Sequence, residues 1–168
     1  MITFYTYNKW DKKGGDSVDL LNLEQDQIIQ INNKEYYIAS MIKYIETSSY
    51  WLEYEIVDRE TSNRYFLNVE LDSKAILYKK VKDTIKPNIN ITYEDEKYEL
   101  DEKGNAKVET YFGITDVALN DAVEYYEYNN MTNKQKRLSI EVWKNETEVS
   151  IGEYISKANI KILDEFRF

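Results

Sequence analysis

The sequence predicts an all-β fold, namely a single-domain barrel or sandwich of roughly ten to twelve mostly antiparallel strands with an internal pseudo-twofold repeat. Apolar and polar residues alternate with period two along short runs rich in Ile, Val, Tyr, Phe and Thr, which is typical of half-buried strands. Residues that favour tight turns separate these runs. One stretch of the first half recurs in the second half, and 168 residues suit one domain rather than two.

The repeat divides the chain into two related halves, about residues 25–81 and about residues 89–163, with a joint at residues 82–88. The joint contains Pro87, the only proline of the chain. Because proline has no backbone N–H to donate to a neighbouring strand, it suits a linker or the edge of a sheet. We therefore expect residues 1–168 to form one domain that is built from two copies of one unit.

Pairs of turn-forming residues mark two hairpins. Asn32 and Asn33 stand between two apolar runs, and asparagine tolerates the positive φ that both central positions of a type I′ turn require. Gly104 and Asn105 predict a second tight turn in the same way. Both pairs favour hairpin connections between successive strands.

The two ends of the chain carry weaker patterns. Residues 1–15 predict a peripheral strand that ends in a Gly-Gly turn, and residues 164–168 predict a short tail. The stretch "SVDLLNLEQDQ" (17–27) is equally typical of a strand and of a short helix. In a helix, Ser17 would cap the N-terminus and Asp19 would favour it electrostatically.

The repeated stretch predicts the pairing of two hairpins and a set of candidate binding residues. "WLEYEIVDRETSNRYFLNVEL" (51–71) and "AVEYYEYNNMTNKQKRLSIEV" (122–142) align without a gap at an offset of seventy-one positions by residue number. In the first copy, a turn at residues 59–62 places Leu52 opposite Val69 on a core face. With the same register in both copies, the opposite, non-core faces carry Trp51, Glu53, Glu70, Glu124, Tyr126 and Glu141.

The composition excludes several kinds of chemistry. A formal net charge of −9 repels phosphate backbones and anionic lipid surfaces, so we expect no nucleic-acid partner and no direct membrane insertion. Without histidine or cysteine, the chain has no imidazole base, no thiolate nucleophile and none of the usual zinc sites. No run approaches the roughly 20 apolar residues of a membrane-spanning helix, and no leader pattern is visible. The sequence therefore predicts a cytoplasmic protein with no cofactor, no metal ligands and no catalytic residue.

The repeated carboxylates have one ordinary explanation and two functional ones. Alternating strands carry charge on their solvent face as a matter of course, and duplication of a strand unit alone explains the repeat. The favoured function is a non-catalytic interaction module, whose aromatic and acidic non-core faces dock a protein partner. The alternative is a barrel that binds a cationic ligand, either a polyamine or a divalent metal, through Glu53, Glu70, Glu124 and Glu141. The direction of the non-core face, outward to water or inward to a cavity, separates the two.

A hydrolase that uses a pair of carboxylates, Glu70 and Glu141, is the least favoured alternative. Such an enzyme needs its two carboxyl groups roughly 5 to 9.5 Å apart in a cleft. The sequence alone does not set this distance.

Two stretches resemble the bacterial domain of unknown function 4178 family. The first is "QDQIIQINNKEYYIASMIKYIETSSYWLEYEIVDRETSNRYFLNVE" (25–70), with its Trp-x-Glu-Tyr strand. The second begins at "GNAKVETYFG" and includes the "LSIEVW" strand and Gly152. The chain departs from the family pattern at Gln25, where glycine is expected, and at Phe66, where tryptophan is common. The resemblance covers about residues 25–163 and implies an accessory role without an assigned activity.

Overall fold

The computed structural model describes residues 18–71 and 74–163, and this part of the chain is almost entirely antiparallel sheet. Its strands are β1 (Ile28–Ile31), β2 (Lys34–Glu46), β3 (Ser49–Asp58), β4 (Arg64–Glu70), β5 (Ala75–Val81), β6 (Asn90–Tyr93), β7 (Glu96–Phe112), β8 (Ala122–Asn130), β9 (Lys136–Val142), β10 (Thr147–Ile155) and β11 (Ile160–Leu163). Eight of them close into a barrel in the order β2-β3-β4-β5-β10-β9-β8-β7, because β7 pairs back onto β2. The predicted all-β fold is confirmed, and it is a barrel rather than a sandwich.

Two successive meanders of five strands build this sheet. Strands β1 to β5 pair in sequence order, and strands β6 to β10 do the same. The two meanders join at the β2–β7 and β5–β10 pairings, and β11 adds to the outer edge of β1. The internal repeat of the sequence is therefore a repeat of the topology. Pro87 lies in the connection between β5 and β6.

The apolar side chains lie mainly on the outer face of the barrel wall. In the first meander, Leu52, Tyr54 and Ile56 of β3 pack beneath β1, β11 and a 3-10 helix at Leu20–Asn22. The hydroxyl of Tyr54 donates a hydrogen bond of 2.8 Å to the carbonyl oxygen of Leu20, which ties this helix to the wall. In the second meander, the outer cluster is Tyr98, Tyr128, Leu138, Ile140 and Val149, covered by Ile91 of β6 and Ile85 of the connection. The short strands outside the ring therefore cover two outer core clusters, and a third buried cluster lies on the inner face, namely Tyr44, Ala106, Val108, Val123 and Tyr125.

The predicted register is right for the first hairpin and wrong for the second. Leu52 pairs with Val69, as expected. In the second hairpin the residue opposite Glu141 is Tyr125. Tyr125 therefore shares the inner face with Glu141, and Glu124 lies on the outer face. A side chain alternates between faces at every position, so an error of one residue exchanges the two faces.

Equivalent turn residues explain the error. Asp58 Oδ1 accepts hydrogen bonds from the backbone N–H groups of Glu60 and Thr61 after β3, at 2.8 and 3.2 Å. Asn130 Oδ1 accepts the same pair of bonds after β8, both at 2.9 Å. Asp58 and Asn130 are seventy-two positions apart by residue number, whereas the gapless alignment used seventy-one. Strand β8 is therefore equivalent to β3 at an offset that the alignment missed by one. Strand β9 is equivalent to β4 at an offset of seventy-three, because Glu53 pairs with Asn68 and Tyr125 pairs with Glu141, so Glu141 keeps its predicted face.

The turn predictions have mixed outcomes. Asn32 and Asn33 have φ of 48° and 67°, so the predicted type I′ turn is confirmed. The turn at Gly104 and Asn105 is wrong, because β7 runs through both residues without interruption. The turn before β7 lies at positions 94 and 95, which have φ of 48° and 63°.

The segment before β1 is neither a strand nor an α-helix. Asp19 caps the short 3-10 helix and accepts a hydrogen bond of 3.1 Å from the N–H of Leu21. Ser17, the strand predicted within residues 1–15 and the tail at 164–168 lie outside the described residues. In the part of the chain that is described, no helix is both long and apolar enough to cross a membrane.

Candidate functional site

Side chains that alternate away from the outer clusters point into the barrel. On β3 and β4 they form three facing pairs, which are Trp51 with Glu70, Glu53 with Asn68, and Glu55 with Phe66. All six line cavities inside the barrel. The non-core face of the first hairpin therefore points inward, which settles the direction that the sequence left open.

Four of the six predicted site residues line these cavities, and two do not. The four are Trp51, Glu53, Glu70 and Glu141. Glu124 and Tyr126 lie on the outer face instead, where Tyr126 packs against the outer cluster of the second meander. The hydroxyl of Tyr126 donates a hydrogen bond to Glu124. A role of the four inward residues in binding stays a prediction.

Tyr125 and Glu127 take the inward places that the sequence assigned to Glu124 and Tyr126. Both line the smaller of the two cavities. Aligning the turn residues Asp58 and Asn130 with each other would have identified them, because this offset puts Glu55 in register with Glu127. A search for identical letters alone could not do so.

Two cavities open at opposite ends of the barrel. The larger, of about 710 Å³, reaches Glu55 and Arg64 beside the β3–β4 turn. The smaller, of about 230 Å³, reaches Glu46 and Ser49 at the β2–β3 turn. Since β3 runs from one turn to the other, the cavities lie one behind the other along the barrel. Glu53 of the larger cavity and Glu141 of the smaller lie where they adjoin.

Glu53 and Glu141 form a pair of mutually repelling carboxyl groups. Burial raises the pKa of Glu53 to about 7, with Lys80 opposing the shift and Glu148 adding to it. Burial also raises the pKa of Glu141 well above its usual range, and the charges of Glu53 and Glu148 raise it further. Among the described residues neither carboxyl group forms an ion pair. Lys80 pairs with Glu148 at 2.9 Å, and its charge opposes the raised pKa of both Glu53 and Glu141. Indole Nε1 of Trp143 donates a hydrogen bond of 3.2 Å to Glu141.

Glu127 contrasts with this pair because its oxygens are well bonded. The hydroxyl groups of Tyr78 and Ser139 donate hydrogen bonds to its two oxygens at 2.6 and 2.7 Å. The guanidinium of Arg137 lies 3.8 Å away. Burial raises the pKa of Glu127 to about 7, although these three partners oppose the shift. Side chains of the barrel wall therefore bond both oxygens of Glu127, whereas Glu53 forms no ion pair among the described residues.

Aromatic rings form the wall beside the Glu53–Glu141 pair. The rings of Tyr44 and Trp51 stack with their centroids 5.1 Å apart. Trp51 also meets Tyr125 edge-on at 5.3 Å, and Tyr44 meets Trp143 at 6.2 Å. Burial raises the pKa of Tyr44 above its usual range, and the charges of Glu53 and Glu141 raise it further. Ring faces and carboxylates therefore occupy the same part of the lumen.

Two glycines make room for lumen tyrosines. A Cβ on Gly104 would come within 2.6 Å of the hydroxyl oxygen of Tyr125. A Cβ on Gly152 would come within 2.5 Å of Cδ1 of Tyr78 and 2.8 Å of the carbonyl oxygen of Leu77. Gly104 thus serves a close approach of a ring to the backbone, and not the turn that the sequence suggested.

A family model described as a domain of unknown function, DUF4178, matches residues 24–157. The chain belongs to the DUF4178 family. The resemblance seen in the sequence is thereby confirmed. Searches of the curated proteins and of the solved structures found no match. The matched range contains all strands from β1 to β10 and every residue that lines the two cavities, so the lumen belongs to the DUF4178 domain itself.

Two positions depart from the DUF4178 pattern as it was read from the sequence, and they have different surroundings. Gln25 lies in the turn before β1, where its neighbour Asp26 has φ of 65°. Phe66 lines the larger cavity, and the ammonium of Lys80 lies 4.5 Å from its ring centroid. Only the second departure lies in the lining of a cavity.

The lumen can hold positive charge in two ways. Carboxylates accept charge-assisted hydrogen bonds, and ring faces attract cations through their quadrupole. In the described part of the chain, no group of three or more Asp and Glu side chains is placed to hold a metal ion.

Proposed function

We propose that this DUF4178 barrel binds a small organic cation in its lumen, with Glu53 and Glu141 as the countercharge. The observation that carries the proposal is the inward pair itself. Both carboxyl groups point into the cavities, and within the described residues neither forms an ion pair, because Lys80, whose charge acts on both, is paired with Glu148. Burying unpaired negative charge is costly, and a bound cation offsets that cost.

The size and the lining of the larger cavity support an amine as the ligand class. Its volume of about 710 Å³ lies within the usual range of small-molecule sites. An alkylammonium group donates hydrogen bonds to carboxylates, while its chain packs against apolar walls such as the ring of Phe66. A polyamine, which repeats these groups along one chain, is therefore a suitable first probe.

A protein-docking role is the second candidate, and the loop between β7 and β8 favours it. Ile114 is 93% exposed and Leu119 is 58% exposed in this loop, which borders the larger cavity. Asp116 and Asp121 lie in the same loop. This combination is an apolar patch beside acidic residues, as an interaction module would present. In either role we expect a non-catalytic accessory protein in the cytoplasm.

Amine binding is expected to weaken by about tenfold or more when the pH falls from 8 to 6. A cation favours the charged form of a carboxyl group, so binding must lower the pKa of Glu53 from its value of about 7. Protons are therefore released on binding below about pH 7. Isothermal titration of putrescine at fixed ionic strength, in two buffers of different ionisation enthalpy, measures both the affinity and the released protons.

The outer-face variant Glu124→Gln serves as the control and is expected to keep the full pH dependence. An affinity that is constant from pH 6 to pH 8, without proton release, would contradict the proposal that the inward carboxyl groups are the countercharge of the amine.

A further inference from the structure

We infer that the smaller cavity is a second site for an alkylammonium group, so that the lumen takes two positive groups, one in each cavity. This inference rests on the proposed function and adds to it a second place of binding. It follows from an unpartnered acceptor, from the charges of the lining and from the position of the cavity.

The amide of Asn68 supplies an unpartnered acceptor at the wall of the smaller cavity. Its oxygen Oδ1 is buried, and within the described residues it has no hydrogen-bond partner. Buried side-chain acceptors are nearly always bonded, and an unbonded one destabilises the folded state. Because the Asn68 side chain lines the cavity, we expect a bound ammonium N–H to donate a hydrogen bond to this oxygen after the amide turns about its last torsion.

The charges of the lining have one sign. The described residues that line the smaller cavity include five carboxyl groups and neither lysine nor arginine. The larger cavity differs, because Arg64, Lys80 and Lys144 share its lining with acidic residues. The smaller cavity is therefore the more selective of the two for a cation.

The remaining walls suit an alkyl chain. Trp51 and Ile76 line the smaller cavity together with the rings of Tyr78 and Tyr125. Its volume of about 230 Å³ is several times the roughly 30 Å³ that one water molecule occupies, and so admits a short alkylammonium. Apolar walls with a few acceptors are the usual lining of a small-molecule site.

The tryptophans allow each site to be observed separately. Trp51 lines the smaller cavity and Trp143 lines the larger. We therefore propose to titrate ¹⁵N-labelled protein with n-butylammonium chloride at constant ionic strength and pH 8. The indole N–H resonance of Trp51 reports on the smaller cavity, and the backbone N–H resonance of Trp143, which donates to the carbonyl oxygen of Glu146 in the lining of the larger cavity, reports on the larger. Both resonances are expected to shift in a saturable way, with separate dissociation constants.

The substitution Asn68→Leu is expected to weaken the response of Trp51 by about tenfold, because one acceptor for the ammonium is lost, while the Trp143 curve stays the same. Asn68→Asp keeps the size of the side chain and is expected to tighten the Trp51 response. Glu124→Gln, on the outer face and outside both linings, is the control and is expected to change neither curve.

The possible failures are distinct. If Trp51 follows the Trp143 curve and neither Asn68 variant alters it, the second site is refuted and the proposed function stands. If neither resonance saturates, both are refuted.

Discussion

Replacing Glu53 and Glu141 together by glutamine is expected to weaken the binding of putrescine by about 100-fold or more. Each substitution removes a charge-assisted hydrogen bond, which contributes about 1.5–3 kcal/mol. Glutamine keeps the shape of the side chain, so the cavities keep their size. Isothermal titration at pH 8 measures the change.

The same variant is expected to be more stable than the wild type at pH 8. The folded-state pKa of Glu53, about 7, lies above its ordinary value of 4.5, so the folded state binds the proton more tightly than the unfolded state. The stability from this group is fully present below about pH 4.5 and is lost as the pH rises through about 7. Urea unfolding at pH 5 and at pH 8 measures the free energy of unfolding at each pH. The difference between the two values is expected to be smaller in the glutamine variant than in the wild type.

A matched variant on the outer face shows whether the effect of removing a repeated glutamate depends on its position in the lumen. Glu124→Gln removes one of the repeated glutamates without touching the lumen. It should leave both binding and stability nearly unchanged. Undiminished binding in the Glu53→Gln, Glu141→Gln variant would refute the proposed site. A loss of folding would instead mark the two carboxyl groups as structural.

Arg137→Ala is expected to lower the free energy of unfolding by about 3–5 kcal/mol, because it leaves partly buried acidic groups without their cation. The side chain of Arg137 is only 5% exposed. Its guanidinium bonds to Asp101 at 3.0 Å, lies 3.8 Å from Glu127 and faces the ring of Tyr154 at 5.5 Å. Urea unfolding at pH 8 measures the loss.

The repeat supplies a control for this prediction. Arg64 forms the corresponding ion pair with Glu55 in the first hairpin, but its side chain is 66% exposed. Arg64→Ala should therefore cost no more than about 1 kcal/mol. Equal losses for the two variants would contradict the assignment of Arg137 as the buried anchor of the second hairpin.

The first hairpin shows what the sequence could predict about the fold. Leu52, Tyr54 and Ile56 alternate strictly with polar residues, so only one register buries all three, and the structure has that register. The second hairpin carries Tyr125 and Tyr126 side by side, and a tyrosine suits either face. Its register depended on the alignment of the repeat, where an error of one position reversed the two faces of β8 but not those of β9.

The direction of the inner face required long-range information. Alternation says which side chains share a face, but not whether that face meets water or a cavity. Closure depends on β2 pairing with β7, two strands that are distant in sequence. The apolar face becomes the outside only because β1, β6 and β11 cover it. None of these contacts leaves a local pattern in the sequence.

The most direct test of a cation-binding lumen is a thermal-shift titration with spermidine, putrescine, Ca²⁺, Mg²⁺ and Mn²⁺ at fixed ionic strength and pH 8. A ligand that binds the folded state raises the unfolding midpoint in a saturable way by mass action. We expect such a rise with the amines, and we expect it to disappear in the Glu53→Gln, Glu141→Gln variant. A midpoint that follows only the salt control, or an equal rise in that variant, would contradict the account.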